Sequence, residues 1–244
     1  MSAGAAARAV RGIAAVVPAR DEQELVRRSL EALVVARAEV GVTHPDVAVV
    51  IVLVADSCVD DTVAIARSIA GVEVLEIDAH SVGVARAAGV ERALEVLGVV
   101  ESGTTPDGWW IANTDADSVV PPNWFSSQLE LADGGTDVVV GTVHPDFADL
   151  SAEQITAWDA RHQPGRPNGH VHGANLGLRL SAYRVVGGFA PLDLHEDNDL
   201  VARLRASPVI VVTASEDGEV TTSGRRTGRA AGGYADYLAT DLLA

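Results

Sequence analysis

Residues 47–54 form an almost unbroken β-branched run, and it constrains the fold more than any other stretch. β-Branched side chains at successive positions favour extended backbone, and a continuous apolar run fits a central strand covered on both faces. Comparable short runs stand at 13–17, ended by Pro18, and at 72–77, 109–113 and 137–143. Between them the apolar residues take helical spacing. Val26, Leu30, Leu33 and Val34 predict a helix over 22–40, and Val84, Ala87, Val90, Leu94 and Leu97 predict one over 83–97. Shorter helices are expected over 62–70 and 123–132. Strands alternating with helices imply an α/β fold: a mostly parallel central sheet with helices on both faces.

Beyond residue 143 the rhythm changes. A helix is expected over 150–161, then a Pro/Gly/His-rich loop over 162–172 of a length that often covers a site. A strand over 173–180 and a short helix ending at Gly187-Gly188 follow. Next come a helix over 194–205, a last strand over 209–213, a polar Gly-rich segment over 214–233 and a closing helix over 234–243. No internal repeat or composition shift marks a boundary. The expectation is a loose tail over 1–10 and one domain over 11–244.

Charge and composition narrow the chemistry. The net charge of -16 argues against a duplex nucleic-acid partner. All 18 cationic side chains are Arg, so no Schiff-base lysine, phosphate-loop lysine or lysine base exists. Any phosphate must be held by Arg, backbone N–H groups or a metal. The single Cys58 excludes an internal disulfide and reads as a small buried thiol or a nucleophile. No apolar run reaches signal-peptide or membrane-span length, so a cytoplasmic protein is expected, soluble or peripheral to the membrane.

Trp109-Trp110-Ile111-Ala112-Asn113-Thr114-Asp115-Ala116-Asp117 is an apolar run that stops in two carboxylates. It reads either as a strand running into an acidic turn or as a strand delivering two ligands to a hard cation. Asp56 follows the second strand, and Arg20 to Glu22 follow the first. In a parallel sheet these loops emerge at one edge, where open α/β sheets bind ligands. Crowded carboxylates there call for a cation, or some must protonate. Glu196 and Asp197 read on their own as a helix first turn, where acids favour the dipole.

Several motifs occur in a fixed order. Val16-Val17-Pro18-Ala19-Arg20-Asp21-Glu22 comes first, then Val54-Ala55-Asp56-Ser57-Cys58-Val59-Asp60-Asp61-Thr62 and Gly83-Val84-Ala85-Arg86-Ala87-Ala88-Gly89. Thr114-Asp115-Ala116-Asp117, Gly173-Ala174-Asn175-Leu176, Gly187-Gly188-Phe189 and His195-Glu196-Asp197-Asn198-Asp199-Leu200 complete the series. Taken together, the chain resembles an inverting family 2 glycosyltransferase of the GT-A fold over nearly its whole length. It departs from the family pattern at Ala55 (usually Asp), Cys58 (usually Ser) and Ala87 (usually Asn), which bears on the contacts to the base.

The resemblance implies a nucleotide-binding half over about 11–143 and an acceptor-binding half over about 144–244. It implies a nucleotide-diphosphate sugar, UDP- or GDP-linked, as donor and a hydroxyl acceptor: a glycan, a lipid-linked molecule or a small metabolite. Pro18, Ala19, Arg20, Glu22, Asp56, Arg86 and Asp115 would bind the donor nucleotide. Asp117, with Asp115, would hold Mg²⁺ or Mn²⁺. Asp197 would be the general base, with Glu196 orienting a substrate. Arg225, Arg226 and Arg229 read as a diphosphate clamp or as a solvated surface run. His170 and His172 could reach the metal or acceptor, and His195 could orient the base. The competing readings are a sugar-phosphate nucleotidyltransferase, whose Gly-rich opening loop is missing here, and a non-catalytic nucleotide-sugar-binding module. A Gly-x-Gly-x-x-Gly oxidoreductase is disfavoured, since the first strand lacks that sequel.

Overall fold

The computed structural model describes residues 8–99, 105–162, 165–167, 169–225 and 233–243. Eight strands are β1 (Gly12–Ala19), β2 (Ala48–Asp56), β3 (Val72–Ile77), β4 (Trp109–Asn113), β5 (Ser118–Val119), β6 (Val138–Pro145), β7 (Leu176–Arg179) and β8 (Val212–Thr222). They form one sheet in the order β3-β2-β1-β4-β7-β6-β8-β5. β1 pairs in parallel with β2 and β4, β2 with β3, and β6 with β8. β7 runs antiparallel between β4 and β6, and β5 caps β8 antiparallel. The sheet is therefore mixed but largely parallel, with an all-parallel half built from β1 to β4.

The helices are α1 (Val26–Thr43), α2 (Thr62–Arg67), α3 (Val82–Val96), α4 (Trp124–Asp133), α5 (Ala152–Arg161), α6 (Leu180–Val185), α7 (Glu196–Arg205) and α8 (Tyr234–Ala239). The two faces of β1 show why both sides of the sheet are covered. Ile13, Ala15 and Val17 share a core with Val26, Leu30 and Leu33 of α1. On the other face, Ala14 packs with Ala85 and Ala93, and Val16 packs with Val90, all from α3. Leu30 and Leu33 are fully buried, a transfer worth about 1.5–3 kcal/mol for each side chain. Gly89 lets α3 lie close on this face, since a Cβ there would stand 2.5 Å from Val16 Cγ1.

Several expected boundaries move. α1 begins at Val26, because the amide of Glu22 is taken by Thr62 Oγ1 at 2.7 Å and residues 23–25 form a turn. The last strand is longer than the expected 209–213. β8 runs from Val212 to Thr222 into the stretch read as a polar segment, and it pairs with both β6 and β5. The expected strand over 173–180 is a short 3-10 turn, Gly173–Asn175, followed by β7. Within the expected tail, Val10 is buried and Arg8 pairs with Asp137. No helix among the described residues is long and apolar enough to cross a membrane.

Candidate active site

β1 sits between β2 and β4, so the loops leaving β1, β2 and β4 converge at the C-terminal edge of the parallel half, the usual ligand edge of such a sheet. The first two loops are laced together. Asp21 accepts from the Val59 amide at 2.8 Å, and the Gln23 amide donates to Asp60 at 3.0 Å. Cys58 Sγ lies 3.4 Å from both the Ala19 carbonyl and the Asp21 amide. Burial pushes the Cys58 thiol above its ordinary pKa, so it stays protonated and serves the loop rather than a nucleophilic step. Among the described residues, the one group of three metal-capable side chains within 4.8 Å is Asp21, Cys58 and Asp60. Its carboxylates already accept backbone N–H groups that set the loop, so its geometry has a structural cause.

Two adjoining hollows open at this edge. One, about 330 Å³, is lined by Pro18, Ala19, Arg20, Glu22, Asp56, Asp115, Asp117 and Arg225. The other, about 420 Å³, is lined by Arg86, Glu196, Asp197, the histidines 162, 170, 172 and 195, and Trp158, Tyr234 and Tyr237. Asp115, Val82, Leu194 and Tyr234 border both. The structure thus brings together nearly all the expected donor residues in the first hollow. It sets Arg86 with Glu196 and Asp197 in the second. Arg226 and Arg229 lie outside the described residues, as do 163, 164 and 168 of the expected covering loop.

Asp56 is occupied by its own fold. One carboxylate oxygen accepts from the Ala79 and His80 amides at 2.8 and 2.9 Å, and the other from Ser81 at 2.8 Å. Burial alone would raise its pKa, but those amides and the Ser57 hydroxyl outweigh burial and hold it below the ordinary carboxylate value. Asp56 therefore fixes the 79–81 loop that forms one wall of the donor hollow. Ser57 and His80 adopt φ of 57° and 54° on either side of this contact.

Arg86 is the hub of the site. It is 2% exposed, its Nε donates to Glu196 at 2.8 Å and its Nη2 to Asp115 at 2.6 Å. Burial works against its charge, but Asp115 and Glu196 outweigh burial and keep it ionised. α7 begins directly at Glu196, with Glu196, Asp197 and Asp199 in its first turn, where the helix dipole favours acids. His195, which precedes it, takes the left-handed region at φ 61°. Asp197 Oδ2 accepts from the Gly173 amide at 2.7 Å, and Oδ1 from the Asn198 amide at 2.7 Å.

Asp117 lies deepest in the donor hollow. Burial, then the charge of Asp115, pushes its carboxyl up to about 6 against the pull of Arg225. Arg225 Nη2 stands 2.8 Å from Asp117 and 3.0 Å from Glu22, and Nη1 adds a second contact to Glu22 at 3.1 Å. A cation already sits between these carboxylates, in the form of a guanidinium. The donor set is hard carboxylate oxygen, which suits a cation that completes its shell with phosphate oxygens and water.

The second hollow has an aromatic lining that sequence reading missed. Trp158 stacks on His162 at 3.5 Å between ring centroids, and His172 meets Tyr234 edge-on at 5.6 Å. Tyr234 and Tyr237 come from α8, which had been read only as a closing helix. Their spacing of three residues on one helix face was the available signal. Burial lowers His172 to about 4, so its ring is neutral near pH 7.

Comparison with known proteins follows the geometry. The family model Glycosyl transferase family 2 matches residues 14–158. Among solved structures, the mannosyltransferase PcManGT from Pyrobaculum calidifontis, in complex with GDP-Man and Mn²⁺, superposes with a TM-score of 0.58 at 18% identity. That match covers 89% of this chain and 58% of the mannosyltransferase, so this chain spans little more than half of that protein. S. aureus TarS 1-349 gives 0.57 at 10% identity, covering 96% and 71%. Glucosyl-3-phosphoglycerate synthase from Mycobacterium tuberculosis, with phosphoglyceric acid, gives 0.52 at 16% identity, covering 90% and 75%. No curated protein matches the chain in sequence. The fold is of the GT-A type, as the ordered motifs led one to expect.

Proposed function

Because the chain belongs to glycosyl transferase family 2, we propose that it transfers a sugar from a nucleotide-diphosphate donor to a hydroxyl acceptor. The observation that carries this reading is the pair of adjoining hollows with Asp115 on their shared border. The first hollow takes a UDP- or GDP-sugar, the second an acceptor. In this reading residues of about 11–143 supply most of the donor side, and those of about 144–244 most of the acceptor side.

Asp117 and Asp115 would hold Mg²⁺ or Mn²⁺, and Arg225 would add charge against the diphosphate. When bound, the cation neutralises the diphosphate as it leaves. Pro18, Ala19, Arg20 and Glu22 frame the nucleotide, and Asp56 acts through the loop it fixes. Asp197 is the general base. The Gly173 and Asn198 amides orient its carboxylate, which takes the proton of the acceptor hydroxyl as that oxygen attacks the anomeric carbon. The bond from that carbon to the diphosphate oxygen breaks in the same step, so one displacement inverts the configuration. Glu196 positions rather than reacts, since it is 5% exposed and bound to Arg86.

The test is a thermal-shift titration with UDP, GDP and their sugars, with and without Mn²⁺, followed by a transfer assay with whichever donor stabilises. A ligand that binds only the folded protein raises its melting temperature by mass action. Cation-dependent stabilisation by one nucleotide, with release of that nucleoside diphosphate on addition of acceptor, is expected. No stabilisation by any nucleotide in either condition sinks the reading.

A further inference from the structure

We propose that Arg225 holds the place of the divalent cation in the donor-free protein, so that cation and diphosphate donor enter together. This rests on the reading above, in which Asp117 is a cation ligand. The Arg225 guanidinium is a bridge rather than a surface contact. One nitrogen, Nη2, lies 3.0 Å from Glu22 Oε1 and 2.8 Å from Asp117 Oδ2, and Nη1 reaches Glu22 Oε2 at 3.1 Å. Glu22 is 7% exposed and the Asp117 side chain 13% exposed, so the positive charge that balances them must come from close by.

The backbone delivers Arg225 to this position. The Ser223 amide donates to the Asp117 carbonyl at 3.1 Å, and the Gly224 amide donates to Asp149 at 2.9 Å. The two residues before Arg225 are thus tied to the carboxylate loop itself and to the turn after β6. The guanidinium is placed by the fold and has a short reach in which to move.

A divalent cation seated on Asp117 Oδ2 meets Arg225 at contact range, and two such charges cannot share that oxygen. A cation arriving alone must therefore displace the guanidinium and leave it without its acid partners. A cation arriving with a diphosphate brings the compensating anion. Arg225 can then pass from carboxylate to phosphate oxygens, which its fork fits equally well. The same side chain opposes the bare cation and favours the cation–donor pair. This linkage requires the Arg225→Ala variant to change the two affinities in opposite directions, which a merely structural residue does not do.

The experiment is a Mn²⁺ titration followed by electron paramagnetic resonance, on wild type, Arg225→Ala and Arg225→Gln, each without nucleotide and with saturating UDP or GDP. Arg225→Gln keeps bulk and an amide donor and removes only the charge. Without nucleotide, both variants should bind Mn²⁺ at least tenfold more tightly than wild type. With nucleotide, both should hold the Mn²⁺–nucleotide pair several-fold less tightly. Equal or weaker Mn²⁺ binding by the variants without nucleotide overturns the proposal. Mn²⁺ bound by no protein, even with nucleotide, overturns the cation site on which it rests, a result distinguishable from the first.

Discussion

Arg86 and Glu196, 110 positions apart in the chain, meet at 2.8 Å in the interior of the site. The same guanidinium reaches Asp115 at 2.6 Å. One buried cation thus ties α3, the loop after β4 and the first turn of α7 into a single unit. Removing one partner of such a buried cluster leaves charges without compensation, which typically costs about 3–5 kcal/mol. Arg86→Ala should therefore lose about that much in urea unfolding, and Arg86→Lys should recover only part, since an ammonium cannot match the two-sided fork. A loss under 1 kcal/mol for Arg86→Ala would remove Arg86 from this role.

Asp197→Asn should fold and bind donor normally but lose transfer. The amide oxygen can still accept from Gly173, and no buried ion pair is broken. Only the proton-accepting capacity goes, and general bases contribute roughly 10²–10⁴ in rate. Single-turnover transfer with bound donor measures that step directly. Turnover close to wild type would pass the role of base to another group.

The parallel half of the sheet was legible because β1, β2, β3 and β4 are continuous apolar runs, and such strands advertise themselves. β8 was not. Its pairing stretch alternates Thr213, Ser215, Asp217, Glu219 and Thr221 with smaller or apolar neighbours, and it reads as loop until β6 and β5 are seen beside it. The start of α1 was misplaced because Glu22, a good helix former, is held by Thr62 and Arg225 from distant parts of the chain. The acidic loops could be read as a set from strand order alone. The side-chain pairings could not. Nothing local in Arg86 names Glu196 as its partner, and nothing in Asp56 shows that its oxygens are already filled by residues 79–81. The aromatic wall from Trp158 and Tyr234 joins helices that sequence reading treated separately.

Asp117→Ala should abolish the cation-dependent part of nucleotide binding while leaving the fold intact. Its carboxyl is buried against Asp115 and Glu22, so removing it also relieves repulsion, and stability should hold or rise slightly. Calorimetric titration of UDP and GDP with Mn²⁺ checks the first statement, and thermal unfolding without ligand checks the second. An unchanged affinity for nucleotide plus Mn²⁺ would contradict the cation assignment.

His172 gives the acid response a specific source. Burial lowers its pKa from 6.5 to about 4, partly offset by the charge of Asp197. Between those values the unfolded chain binds a proton that the folded chain does not. Stability attributable to His172 is therefore intact above pH 6.5 and is lost as pH falls toward 4. At pH 5 the loss is about 2 kcal/mol, or roughly 4–8 °C in a chain of this size. Phe fills a similar space against Tyr234 and cannot take the proton. His172→Phe and wild type should melt with nearly constant separation above pH 7, and the variant should gain on wild type by that amount at pH 5. Melting curves across pH 5 to 8 decide it, and a separation that does not widen on acidification would mean that His172 is protonated in the folded protein.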